Sequence, residues 1–229
     1  MTHKGIRYHL KYVKGNMNAF LNRFRPVKLI FWKLYQYRKR QKGETVSGPG
    51  STREQTRIVI KIVSSVIHDY NIRKILDIPC GDFNWMKHID MADVFYRGAD
   101  IVDELIEINR QQFGTENRVF NTMDLLRDEL PEVDLIACRD CLVHFSYKHI
   151  NMAIGNIKRS GSTYLLTTTF PGFKNENVIT GDWRMLNLQE FPFLFPEPLV
   201  LFNEGYYTEA SGVGAKSLGL WKIKDLPGK

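Results

Sequence analysis

Three carboxylates, Asp77, Asp100 and Asp124, each close a short apolar run, with Asp100 lying 23 residues beyond Asp77. An acid at the carboxyl end of a buried strand, followed by a tight turn and a helix start, can hold a nucleoside-bearing ligand by accepting its ribose hydroxyl protons. The first of these stretches is Lys74-Ile75-Leu76-Asp77-Ile78-Pro79-Cys80-Gly81-Asp82-Phe83-Asn84-Trp85. Residues 72–78 read as a strand that ends sharply, because Pro79 removes a backbone donor and Gly81 permits unusual dihedrals. A lone Asp at a strand end is usually a turn former; three at successive strand ends are harder to dismiss. A second chemical group follows the run 133–138. Asp140 and His144 are four apart and would share one face of a helical turn. His144 can take an alcohol proton near neutral pH, with Asp140 orienting it or acting as the base itself. A capping or core histidine is the plainer reading of His144. Cys138-x-x-Cys141 with His144 also looks like a fragment of a zinc site, but the chain has only one further thiol, Cys80.

The elements that must position these groups alternate. Helical spacing predicts an amphipathic helix over 17–38, carrying Met17, Phe20, Leu21, Phe24, Val27, Phe31, Leu34 and Tyr35, which Pro26 should kink or divide. Residues 43–52 have the composition of a linker. Ser51 or Thr52 suits an N-cap, with Glu54 and Gln55 placed for a capping box before a helix with Ile58, Ile62, Val63, Val66 and Ile67 on one face. Strands are expected at 94–99, 118–122, 133–138 and 163–168, with helices at 104–112 and 147–158 between them. Runs 199–203 and 217–223 read as a closing antiparallel pair. Between the fifth strand and that pair lies a long stretch, 170–198, of the kind that forms lids or binding surfaces. Its Asn175, Asn177, Asp182, Arg184 and Asn187, mixed with Phe173 and Trp183, suit a hydroxyl-rich, stackable acceptor such as a sugar; a surface excursion whose aromatics fill core is the alternative.

The turn at Gly81 resembles the first motif of class I S-adenosylmethionine (SAM)-dependent methyltransferases, an acid followed by Gly-x-Gly-x-Gly. Pro79 and Phe83 replace the first and third glycines. The variant Asp-x-Pro-Cys-Gly-Asp-Phe-Asn-Trp is similar to a subgroup of that family, and the match runs from about Ser47 to Trp221. The resemblance implies an α/β, three-layer Rossmann-like methyltransferase fold. Its seven-stranded, mostly parallel sheet would have the order 3-2-1-4-5-7-6 and an antiparallel C-terminal hairpin. It implies SAM as cofactor and S-adenosylhomocysteine as product, held by Asp77, Gly81, Asp82, Asp100, Ile101, Asp124, Leu125 and Arg139. In such enzymes the acid after the third strand meets the adenine amino group, its apolar neighbour packs on the ring, and the segment after the fourth strand lies beside the transferred methyl. The expected activity is O-methylation of a hydroxyl on a sugar, glycan or other small polar acceptor, with His144 or Asp140 as base. Some sugar methyltransferases need a divalent metal, to which Asp140 and Asp182 could offer oxygens. Rival readings are a nucleic-acid or protein methyltransferase and a non-catalytic binding module. A nicotinamide enzyme is disfavoured, because Gly-x-Gly-x-x-Gly is missing.

Composition bounds these readings. The 229 residues can bury one substantial core, and 43% hydrophobic content without strong bias is that of a globular domain. No apolar run reaches the roughly 20 residues a membrane span requires. Three cysteines argue for a reducing compartment, so a cytoplasmic location is expected, with peripheral membrane contact as an option. The net charge of +7 is divided unevenly. Residues 1–50 hold twelve Lys or Arg and one acid, Glu44; the rest hold 20 basic and 24 acidic residues. The chain is therefore expected to comprise a basic amphipathic extension, 1–46, and a catalytic domain, 47–229. The extension could touch a membrane or a protein through 17–42, less plausibly a nucleic acid, or simply pack its aromatic stripe on the domain.

Overall fold

Parallel pairing needs crossover connections, and the alternating strand and helix signals supply them. The computed structural model describes residues 26–205 and 216–228. Its seven strands are β1 (Lys74–Asp77), β2 (Phe95–Asp100), β3 (Arg118–Thr122), β4 (Leu135–Cys138), β5 (Tyr164–Thr169), β6 (Val200–Asn203) and β7 (Ser217–Lys222). They form one sheet in the order β3-β2-β1-β4-β5-β7-β6. β1 to β5 are mutually parallel where they pair, and β7 runs antiparallel to both β5 and β6. The fold class and strand order expected from the sequence are those observed.

Four helices accompany the sheet: α1 (Val27–Arg40), α2 (Arg53–Asp69), α3 (Asp103–Phe113) and α4 (Tyr147–Arg159). Side chains alternate across the strands and so feed two cores. Leu76, Ile136, Leu165 and Trp221 face the core that takes up α4 and the loop residues Leu186, Leu188, Phe193 and Phe195. Ile75, Tyr96, Leu135, Leu166 and Leu220 face the core that takes up α2 and Ile106 of α3. The helix starts are built as their sequences suggest. Thr52 caps α2 by accepting from the Gln55 N–H at 3.4 Å, and Ser146 caps α4 through the His149 N–H. The reciprocal half of the expected capping box is not made: the Thr52 N–H goes to the Pro49 carbonyl at 3.3 Å, and Glu44 accepts the next N–H, that of Arg53, at 2.7 Å. Asp134 accepts the backbone N–H groups of both Arg73 and Lys74 at 2.8 Å, pinning the start of β1 beside β4.

The expected helix over 17–38 begins at Val27 in the described residues, directly after Pro26; Met17, Phe20, Leu21 and Phe24 lie outside them. No helix among the described residues is long and apolar enough to cross a membrane. Leu76 is fully buried between β2 and β4. Leu76→Ala is expected to lower the unfolding free energy by about 2–5 kcal/mol in denaturant titration, with an unchanged m-value.

Candidate functional site

β1 and β2 are adjacent and in register, so their final acids emerge at one edge of the sheet. Asp77 is 3% exposed, and its Oδ2 accepts the Tyr96 hydroxyl at 2.7 Å. Burial pushes its carboxyl up to about 7, against the opposing effect of that hydrogen bond. Asp100 is 7% exposed and accepts the N–H groups of Gly81 at 3.3 Å and Val102 at 3.1 Å; burial raises it to about 6. Neither acid has an ion-pair partner among the described residues. Asp124 follows β3, where its Oδ1 accepts the Leu126 N–H at 2.9 Å. These three, with Gly81, Ile101 and Leu125, line one cavity of about 1140 Å³, its open mouth included.

Gly81 permits this arrangement. Its φ is +55°, and a Cβ there would stand 2.1 Å from the Ser47 hydroxyl oxygen. Asp82 has a different position from its neighbours: it is not among the cavity-lining residues. Its carboxylate accepts from Thr45 Oγ1, the Val46 N–H and Ser47 Oγ at 2.8–3.0 Å. This corrects the expectation for 43–52. Rather than a free linker, the segment is tied down by Asp82, and Val46, Ser47 and Ser51 form cavity wall.

After β4 the chain is not helical at Asp140, whose φ is +51°; a 3₁₀ turn begins only at Leu142. Asp140 and His144 therefore do not form the expected helical i,i+4 pair, although both line the cavity. Asp140 lies 2.6 Å from Lys216 Nζ and 3.3 Å from the Arg139 guanidinium. Burial opposes its charge, but those two cations hold its carboxyl below the usual range. Arg139 also engages Glu204, 2% exposed, at 2.6 Å and donates to the Gly50 carbonyl at 3.0 Å. Expected as a ligand contact, Arg139 lines the cavity but commits its guanidinium to this knot of two acids and two cations. The cysteines are core residues: Cys138 and Cys141 pack in the α4-side cluster. Among the described residues no three His, Cys, Asp or Glu are grouped to hold a metal.

His144 is half-buried, and its Nδ1 lies 2.9 Å from the Asp182 carbonyl oxygen. A carbonyl can only accept, so Nδ1 carries the proton and the Nε2 lone pair is left for other work. Burial lowers its pKa, opposed by the Asp182 bond and the nearby Asp140.

The polar residues of the long loop do not face the cavity. Asn175 bonds the backbone of Asn187 and Phe191, Asn177 caps the Tyr147 N–H, and Asn187 accepts the Gln189 N–H. Arg184, 2% exposed, donates to the carbonyls of Leu142 and Val143; burial lowers it to about 10. Trp183 is exposed and edges against Phe170, while Phe173 packs on the core. The loop thus holds the 142–144 turn from behind.

The opposite wall comes from α1, which sequence reasoning assigned to a separate extension. Val27, Phe31, Leu34, Tyr35 and Arg38 line the cavity, and Phe31 packs on Phe145 with ring centroids 5.8 Å apart. Lys28 pairs with Asp103 at 2.7 Å, and Lys39 with Glu104, so α1 is bolted to the start of α3. The spacing 27, 31, 34, 35, 38 was the available signal; nothing in it said that the stripe covers a ligand space.

No protein-family model matches this sequence, and no curated protein matches it. Solved structures do. The methyltransferase domain of a bacterial Hen1 superposes with a TM-score of 0.55 at 12% identity, covering 75% of this chain and 98% of that one. A SAM-dependent methyltransferase from Methanosarcina mazei gives 0.51 at 16% identity, covering 69% and 96%. Magnesium protoporphyrin IX methyltransferase from Synechocystis, solved with bound SAM, gives 0.51 at 15%, covering 66% and 81%. At these identities the likeness is one of fold: the chain has the class I methyltransferase architecture.

The raised Asp77 carboxyl links stability to pH. From its ordinary 3.8 to about 7, folded Asp77 keeps a proton that the unfolded chain releases, so its contribution is complete below about pH 4 and is lost as pH rises through 7. Asn at this position does not titrate. Between pH 4 and 8 the stability of wild type relative to Asp77→Asn should therefore fall by about 2–4 kcal/mol, measured by denaturant titration at each pH.

Proposed function

We propose that this chain is a SAM-dependent methyltransferase that methylates a hydroxyl of a small acceptor. The observation that carries the reading is the set of acids Asp77, Asp100 and Asp124 at successive strand ends on one cavity, two of them buried with no ion-pair partner among the described residues. Desolvated carboxylates with unused lone pairs suit a ligand rich in hydroxyl and amine donors. Asp100 would accept the ribose hydroxyls, Asp124 the adenine amino group, with Ile101 and Leu125 against the ring; Asp77 would face the positively charged amino-acid end. When bound, SAM supplies an already activated sulfonium methyl. The protein's remaining tasks are alignment, exclusion of water and removal of the acceptor proton.

The proton falls to His144. Its Nδ1–H is engaged by Asp182, its lowered pKa keeps Nε2 unprotonated at neutral pH, and it stands on the cavity wall. Asp140 supports this role electrostatically. Held ionised between Arg139 and Lys216, it is the weaker base of the two. A glycan hydroxyl is one acceptor of this kind, but the loop asparagines lend it no support: each bonds backbone through its side chain, and none lines the cavity. A hydroxyl near His144 and apolar surface near Phe31 and Phe145 are what the acceptor must offer.

Calorimetric titration with SAM, S-adenosylhomocysteine and NADH tests the cofactor. Micromolar binding of the first two, no binding of NADH, and a large loss in Asp100→Ala are expected; no binding of either sulfur ligand would overturn the reading. Once an acceptor is found by screening hydroxylated compounds, His144→Ala should leave SAM affinity near normal and lower turnover about 10²–10⁴-fold. An unchanged rate would remove His144 from the mechanism.

A further inference from the structure

The walls of the cavity hold two arginines with opposite circumstances. Arg139 is fully engaged by Glu204 and Asp140. Arg38, on α1, lies within ion-pair distance of no carboxylate among the described residues. Its Nη1 donates to the Ser47 carbonyl, and burial lowers its pKa with no opposing charge nearby. The guanidinium is half-buried on the cavity wall, and its donors beyond the Ser47 contact have no partner among the described residues, so they can receive a ligand there.

Its placement is built. Gly48, at φ +107°, lies directly against it, and a Cβ there would come within 2.6 Å of Arg38 Nη1 and 2.7 Å of Cζ. Ser47, whose carbonyl receives Arg38, has its hydroxyl against Gly81 and on Asp82. The guanidinium is therefore fixed over the Gly81 turn, and it is close enough to His144 to depress its basicity. The other α1 residues on the cavity are Val27, Phe31, Leu34 and Tyr35, which offer no charge.

We propose that Arg38 is the carboxylate-binding residue of this cavity, so that the basic N-terminal helix completes the ligand site. A planar carboxylate matches the free fork of an arginine. The proposal rests on the methyltransferase reading, and it admits two sources of the carboxylate: the amino-acid end of the cofactor, or an acidic acceptor lying between Arg38 and His144.

The test is calorimetry on the full chain and on Arg38→Met and Arg38→Lys, with thermal unfolding as a folding control. The probes are S-adenosylhomocysteine and methylthioadenosine, which lacks the amino-acid end. A third measurement titrates S-adenosylhomocysteine-loaded protein with 4-hydroxybenzoate and 4-hydroxybenzamide. If the cofactor supplies the carboxylate, Arg38→Met should bind S-adenosylhomocysteine about 10–100-fold more weakly and methylthioadenosine as wild type does, with Arg38→Lys intermediate. If the acceptor supplies it, both nucleosides keep their affinity, while wild type prefers the hydroxybenzoate to its amide and Arg38→Met loses that preference. Wild-type behaviour of Arg38→Met with all four probes would overturn the inference and leave the cofactor reading intact. Failure of wild type to bind either nucleoside would overturn both, and is distinguished by that control.

Discussion

Asp77 and Asp100 are held almost free of water, with no cation among the described residues paired to either, and much of the molecule's construction answers to that burden. Ending a parallel strand with an acid is inexpensive at an exposed edge. Here, however, α1 and the segment 43–52 cover the edge and remove the solvent. Tyr96 and the N–H groups of Gly81 and Val102 satisfy part of each carboxylate. The rest is left for a ligand with hydroxyl and amine donors. A site of this kind binds by completing what the fold leaves incomplete.

The second device is electrostatic. Arg139, Asp140, Glu204 and Lys216 form a closed group that joins the end of β4 to the end of β6 and the start of β7. Glu204 in particular is too deeply buried to be tolerated alone, and removing one partner of such a group usually costs far more than the group contributes as a whole. The consequence for chemistry is a division of labour. Asp140 is held charged, and His144, backed by the Asp182 carbonyl and by Arg184 on the 142–144 turn, is held neutral with one nitrogen free. The environment has separated the states of two titratable neighbours, and that separation is what an acid–base site requires.

The basic head of the chain takes its place in the same scheme. Three of the cations in 26–40 have definite tasks: Lys28 and Lys39 fasten α1 to α3, and Arg38 holds the Ser47 carbonyl beside the cavity, while the apolar stripe between them roofs it. Lys33 and Arg40 belong to the outward face, with Leu29, Trp32 and Tyr37 exposed beside them. Charge that looks, by composition, like an appended tail is thus partly site architecture.

The sequence by itself located the strands and the three acids, while their order in the sheet came from the family resemblance. Apolar runs of four to six residues with an acid at the end report local physics, namely strand burial and its termination, and that information is contiguous in the chain. The bounds of β3, Arg118–Thr122, are those expected, and the other strands differ from their expected bounds by one or two residues. What only the tertiary structure decided was which polar groups remain free. Asn175, Arg184 and Asn187 have the composition of a binding lid, yet Asn175 and Arg184 donate to backbone carbonyls 12 and 42 residues away, and Asn187 accepts the Gln189 N–H across a turn. Asp82 sits one residue from the cavity-lining Gly81 and serves the 45–47 segment instead. Arg38 reads as one member of a basic run, and its lack of a counterion among the described residues appears only when α1 is laid across the site. Hydrogen-bond and ion-pair satisfaction is set by contacts distant in sequence, so residue type and spacing could nominate candidates for chemistry but could not say which ones the fold would leave unspent.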